Sequence, residues 1–119
     1  MLLFFVLLVI GTCNAGGPLI FPMVHITSNY TVNSTNVMIM ADTTEGSMWV
    51  FLPLANDWEG RAIAVFDEGE YVGINPIYIV CDDADKFPRY DNPVAITDTF
   101  TGLRFMSNGR NKWLVNQIN

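Results

Sequence analysis

Apolar and polar positions along this chain come in short runs bounded by Gly, Pro, Asn and Asp. That is the signature of strands and turns, and no stretch carries the 3.6-residue spacing of an amphipathic helix of ordinary length. The clearest case is Asp42–Pro53. Asp42-Thr43-Thr44-Glu45-Gly46 is turn chemistry, because Asp and Thr bond locally to the backbone and Gly supplies φ > 0. Ser47-Met48-Trp49-Val50-Phe51-Leu52 is a β-branched and aromatic run that stops at Pro53, which has no N–H to give a ladder. On a strand, Met48, Val50 and Leu52 share one face, and Trp49 and Phe51 share the other with Ser47. A sheet with one wet face alternates apolar with polar residues; this strand is apolar on both. The pattern predicts a core on one side and a second cover on the other, either another sheet or another copy of the chain. Val37–Ala41 is also apolar, so 37–52 is expected to fold as a hairpin with a longer loop.

The rest of the chain reads the same way. Met23–Thr27 and Tyr30–Val32 are short extended segments, and Asn33–Asn36 is a polar turn. Leu54–Glu59 lacks β-branched residues and is expected to hold a helical turn at Ala55–Trp58. Arg61–Phe66 and Ile77–Cys81 are strands separated by the acidic turn Asp67–Glu70. Asp82–Asn92 is a polar loop, and Val94–Ile96 is a short strand. Leu103–Met106 and Trp113–Ile118 flank Asn108-Gly109, the best hairpin signal in the chain. About eight to ten short strands give an all-β class, a small antiparallel β-sandwich or barrel-like unit. No internal repeat is evident.

An apolar segment, Met1–Ile10, precedes this unit. It is too short to span a bilayer, which takes about 20 helical residues. Its length fits a signal-peptide core, with Cys13-Asn14-Ala15 as a cleavage context, although no Lys or Arg precedes it. Ile10-Gly11-Thr12-Cys13 also has the outline of a lipid-attachment box, and a buried strand or interface segment fits the same residues. The expected organisation is a leader, anchor or interface segment at 1–15 and a β-rich module at 16–119.

Composition narrows the function. Half of the 119 residues are hydrophobic and only 15% are charged, which speaks against disorder. The net charge of −6 argues against a nucleic-acid partner and against electrostatic docking on anionic lipid. Two cysteines, Cys13 and Cys81, make no disulfide framework, and Cys81 reads as a small buried hydrophobe at a strand end. His25 is the sole histidine and reads as a strand residue; one histidine and two distant cysteines are too few for zinc. No P-loop, GxGxxG or nucleophile elbow occurs, so neither a catalytic set nor a cofactor site is expected. Asp82-Asp83-Ala84-Asp85 is the densest acidic cluster. It lacks the glycine and the closing Glu of a calcium loop and is expected to be a solvated loop. Among the aromatics, Tyr78 and Phe105 are assigned to the core. Trp49 and Phe51 are candidates for a subunit interface, and Trp58 with Asn56 and Asp57 for a surface cluster that takes a glycan. Asn29-Tyr30-Thr31 and Asn33-Ser34-Thr35 match the glycosylation sequon, relevant only in a eukaryotic secretory route.

Taken in order, Tyr30-Thr31-Val32, then Asp42-x-Thr44-x-Gly46 leading to Leu52-Pro53, then Gly60-Arg61, then Ser107-Asn108-Gly109 before Trp113 resemble the small β module of phage and other viral fibre proteins. The similarity covers roughly Ile26–Ile118. The resemblance implies a non-enzymatic virion protein, a fibre, spike or decoration module that self-associates as a homotrimer beside other virion proteins and contacts a host surface glycan. The alternative from the residues alone is a secreted or lipid-anchored β-sandwich binding protein that uses 1–15 as its leader.

Overall fold

The computed structural model describes residues 22–33, 37–98 and 102–118. The apolar Met1–Ile10 segment, Cys13 and the rest of 1–15 lie outside the described residues. Nine strands are described: β1 (Met23–Ile26), β2 (Tyr30–Thr31), β3 (Met38–Ala41), β4 (Met48–Phe51), β5 (Ala62–Asp67), β6 (Ile77–Val80), β7 (Val94–Ile96), β8 (Gly102–Ser107) and β9 (Trp113–Ile118). Among the described residues a single 3-10 turn, Ala55–Asp57, sits between β4 and β5 where β-branched residues give out. No helix of the described residues is long and apolar enough to cross a membrane.

The strands form two sheets, ordered β1-β3-β5-β8-β9 and β2-β4-β6-β7. From β1 to β6 the chain changes sheet at every step. Each return lays the new strand parallel to the strand of the previous turn, with Met38 beside Met23 and Ala64 beside Met38 in one sheet and Ile77 beside Met48 in the other. The chain therefore winds as a coil. Parallel neighbours need a long crossover, usually a helix; here the crossover contains a strand of the other sheet. The direction then reverses. β7 runs antiparallel to β6, β8 to β5, and β9 to β8.

Two expectations are corrected here. The sheets are mixed rather than antiparallel. Residues 37–52 do not form a hairpin, because β3 pairs with β1 and β5 while β4 pairs with β2 and β6. The turn between them has the local chemistry expected of it. The Asp42 carboxylate accepts the Thr44 N–H at 3.0 Å and its hydroxyl at 2.6 Å, and the Gly46 N–H closes on Thr43 O. That turn carries the chain from one sheet to the other, so Ile39 and Ala41 on β3 and Met48 and Val50 on β4 contribute to one core from different sheets. The terminal hairpin is as expected: in the 108–112 loop Asn108 Oδ1 accepts the N–H groups of Arg110, Asn111 and Lys112 at 2.8–3.0 Å.

Inward positions of both sheets join one hydrophobic cluster, with Ile39, Ile63, Val65, Phe105 and Trp113 from one sheet and Met48, Val50, Ile77, Ile79 and Ile96 from the other. All are at most 2% exposed. Burying such side chains contributes roughly 1.5–3 kcal/mol each before chain entropy is set against it. Phe87, brought in by the 82–93 loop, packs its ring 5.6 Å from that of Phe105.

Candidate functional site

The strand alternation read from Ser47–Leu52 is present. Met48, Val50 and Leu52 are buried, whereas Trp49 is 38% and Phe51 40% exposed. Cross-strand register extends this outer face. Trp49 lies beside Tyr78 and Tyr78 beside Ala95; Thr31 lies beside Phe51 and Phe51 beside Val80. No outward side chain of these four strands is charged. Trp49 and Tyr78 stack with ring centroids 4.8 Å apart and planes at 25°. The Trp49 N–H donates to the Asn29 side chain at 2.8 Å, which fixes the strand beside the short β2. A recess of about 260 Å³ lined by Phe51, Leu52, Val80, Cys81 and Asp82-Asp83 adjoins the face at one end.

Tyr78 was expected in the core and is instead half-buried on this outer face. Its sequence neighbours Ile77 and Ile79 are both inward, so parity in Ile77–Cys81 carries the information once the inner face is chosen. Phe105 is fully buried, as expected.

Trp58 requires a correction. Asn56 and Asp57 are exposed, but Trp58 is only 4% exposed and does not share a surface with them. Its ring lies 6.1 Å from that of Trp113, and the Arg61 guanidinium covers it at 5.5 Å. The 3-10 turn rotates the chain between Asp57 and Trp58, and the large apolar ring closes the core beneath this connection. Trp113 donates its Nε1–H to Pro53 O at 3.1 Å. The Ser107 hydroxyl donates to Ala55 O and accepts the Gly109 N–H at 2.9 Å.

The acidic loop has structural partners. Asp82 accepts the Ala84 N–H and Asp85 accepts the Ala55 N–H, each at 2.9 Å. Among the described residues, no three His, Cys, Asp or Glu side chains are gathered closely enough to hold a metal ion. Cys81 is buried at the end of β6. Burial, followed by the charge of Asp85, pushes its thiol up to about 11. Asn92 continues the ladder there with its side chain, accepting the Cys81 N–H at 3.1 Å and donating to Cys81 O at 3.0 Å. His25 is exposed on β1, with Nδ1 2.9 Å from the Glu68 carboxylate. The Asp42 carboxyl is held below its ordinary range by the Thr44 hydroxyl and then by the Thr44 N–H.

No family model matches the chain, and no curated protein matches it either.

Proposed function

We propose that the chain is a non-enzymatic structural module that self-associates through the outer faces of its sheets. The reading includes a finer architecture, a two-layered sandwich with open ends. One observation carries it: Trp49 and Phe51 stand outward, more than a third exposed, on a face with no charged side chain. A large aromatic surface left in water is a contact surface by default. The resemblance in turns and aromatics to fibre modules supports a place on a virion, as a fibre, spike or decoration element assembled as a trimer with other virion proteins around it. The acidic loops, Asp82–Asp91 foremost, then face neighbouring proteins or the host surface.

Light scattering coupled to size exclusion tests the reading on the full chain. A mass of several 13.3 kDa copies is expected, falling to one copy when Trp49→Ser and Phe51→Ser are combined. A wild-type chain that stays monomeric at high concentration overturns it.

A further inference from the structure

The five-stranded sheet has an outer face of its own, and the register places its residues. Met23, Met38, Ala64, Arg104 and Asn116 form one row across the sheet. His25, Met40, Phe66, Gly102 and Ile118 form a second, and Ala62, Met106 and Leu114 a third. Four of the chain's six methionines therefore lie on one outer surface. Phe66 covers Gly102, where a Cβ would come within 2.6 Å of its ring. Met23 is 49% and Leu114 40% exposed. Arg104 is the sole Lys or Arg on the face, and the Glu68 carboxylate reaches its His25 at 2.9 Å.

We propose that this methionine face packs on the aromatic face of a second copy, so that copies join face to back. The inference deepens the self-association proposed above and rests on it. Two features favour this occupant and this orientation. The first is chemical fit. Flexible thioethers fill irregular gaps and make favourable contacts with aromatic rings, and Trp49, Phe51 and Tyr78 present such rings on the opposite sheet. The second is charge. Two methionine faces pressed together would take two Arg104 side chains and two His25–Glu68 pairs out of water at one interface, which is costly, where a face-to-back contact takes one of each. Against the aromatic face, the same Arg104 meets a surface bordered by Asp82 and Asp83 at the end of β6.

The size of the face sets the strength. Five strands spaced at about 4.8 Å, four to six residues long at about 3.3 Å each, give a face of roughly 400 Å². The aromatic face, four strands two to four residues long, is smaller at roughly 200 Å², so a contact limited by it buries about 400 Å² in total, below the size of stable specific interfaces. Association through one contact is therefore concentration-dependent. A face-to-back contact is heterologous, so it closes into a ring such as a trimer or continues as an open stack, according to the rotation between copies.

A pair of blocked variants tests this in the full chain. Met23→Asp with Leu114→Asp blocks the methionine face; Trp49→Asp with Phe51→Asp blocks the aromatic face. All four positions are exposed, and near-ultraviolet circular dichroism checks that each variant folds. In sedimentation velocity, wild type is expected to exceed two copies as concentration rises. Each variant alone is expected to remain a single copy. Their equimolar mixture rises toward twice that mass and no further, because each supplies the face the other lacks. A blocked variant that dimerises alone overturns the face-to-back arrangement and leaves self-association standing. A monomeric wild type overturns both, whether Met1–Ile10 or a different protein covers the faces. A second measurement needs no variant. Peroxide oxidation of Met23, Met38, Met40 and Met106 in wild type, read by peptide mass spectrometry, is expected to slow several-fold as concentration rises, with buried Met48 as the reference. Equal rates at all concentrations overturn the proposal.

Discussion

Ser107→Ala removes one oxygen and almost no volume, and its effect follows from the bonds that oxygen makes. The hydroxyl is in a residue only 3% exposed, donates to Ala55 O and accepts the Gly109 N–H. Ala55 O keeps a second partner in the Trp58 N–H at 3.0 Å, whereas no other bond to the Gly109 N–H is described. Two hydrogen bonds at about 1 kcal/mol net each predict a loss of about 2 kcal/mol, or roughly 8–12 °C in Tm for a domain of this size. The companion change is Trp113→Phe, which removes the indole bond to Pro53 O and part of a fully buried ring. Its expected cost is about 2–3 kcal/mol.

Both bonds hold the same segment, Pro53–Ala55, against β8 and β9. Once either is lost, the segment is less ordered and the other bond holds less, so the double variant should lose less than the sum, by about 0.5–1 kcal/mol. Urea unfolding followed by tryptophan fluorescence and by far-ultraviolet dichroism at one fixed protein concentration measures all four corners, and coincident transitions license the two-state treatment. A Ser107→Ala loss below about 0.5 kcal/mol, or additivity within about 0.3 kcal/mol, refutes the claim that these bonds jointly pin the connection between the sheets.

Two further perturbations probe other parts of the structure. The Cys81 thiol is raised from 9.0 to about 11, so the folded state holds its proton longer than the unfolded state does. This contribution to stability is whole below pH 9 and falls as pH rises from about 9 to about 11. Alkylation of the Cys81 peptide, resolved from Cys13 by mass spectrometry, should stay slow at pH 9 in the folded protein and become fast in urea; equally fast labelling in both is the contrary result. Gly102→Ala places a Cβ 2.6 Å from the Phe66 ring and 3.2 Å from Val65 O, which should cost about 1–3 kcal/mol. Adding Phe66→Leu should recover part of that loss in thermal denaturation, and an unchanged Tm for Gly102→Ala alone would contradict the packing.

Strand positions were legible because a period of two needs no partner to be read. Ile77–Cys81 and Ser47–Leu52 show their parity in the chain itself, and Asn108-Gly109 marks its hairpin by local turn chemistry, with Gly109 at φ 78° and the Asn108 side chain bonded to the loop's N–H groups. Pairing was not legible. A strand, a tight turn and another strand look alike whether the strands lie side by side or on opposite sheets, because the same inward residues are buried either way. The return of β3 to β1 after 15 residues and of β5 to β3 after 26 leaves no fixed period to detect. Trp58 was misplaced for a related reason. Its neighbours Asn56 and Asp57 are polar, and only the 3-10 turn, with Trp113 waiting beneath it, brings the ring inside. The methionine face was hidden because its rows draw on five strands spread from residue 23 to residue 118.

The distribution of charge bears on the proposed self-association. Of the eighteen Asp, Glu, Lys and Arg side chains, only Asp67 and Arg104 lie within strands, and Asp67 points inward. The other sixteen, with an excess of acid, sit in the loops that surround the two sheets. Copies that meet loop to loop bring like charge together, and this repulsion extends over about 8 Å at physiological ionic strength. Under the proposed self-association, copies that meet through the broad faces bring together much of the exposed apolar area, with Arg104 and the His25–Glu68 pair as the charged groups. This placement disfavours lateral contacts and, for the self-association proposed above, favours the broad faces. For the face-to-back contact proposed above, the charged groups brought to the methionine side are then Arg104 and the His25–Glu68 pair, whether copies close into a ring or continue as a stack.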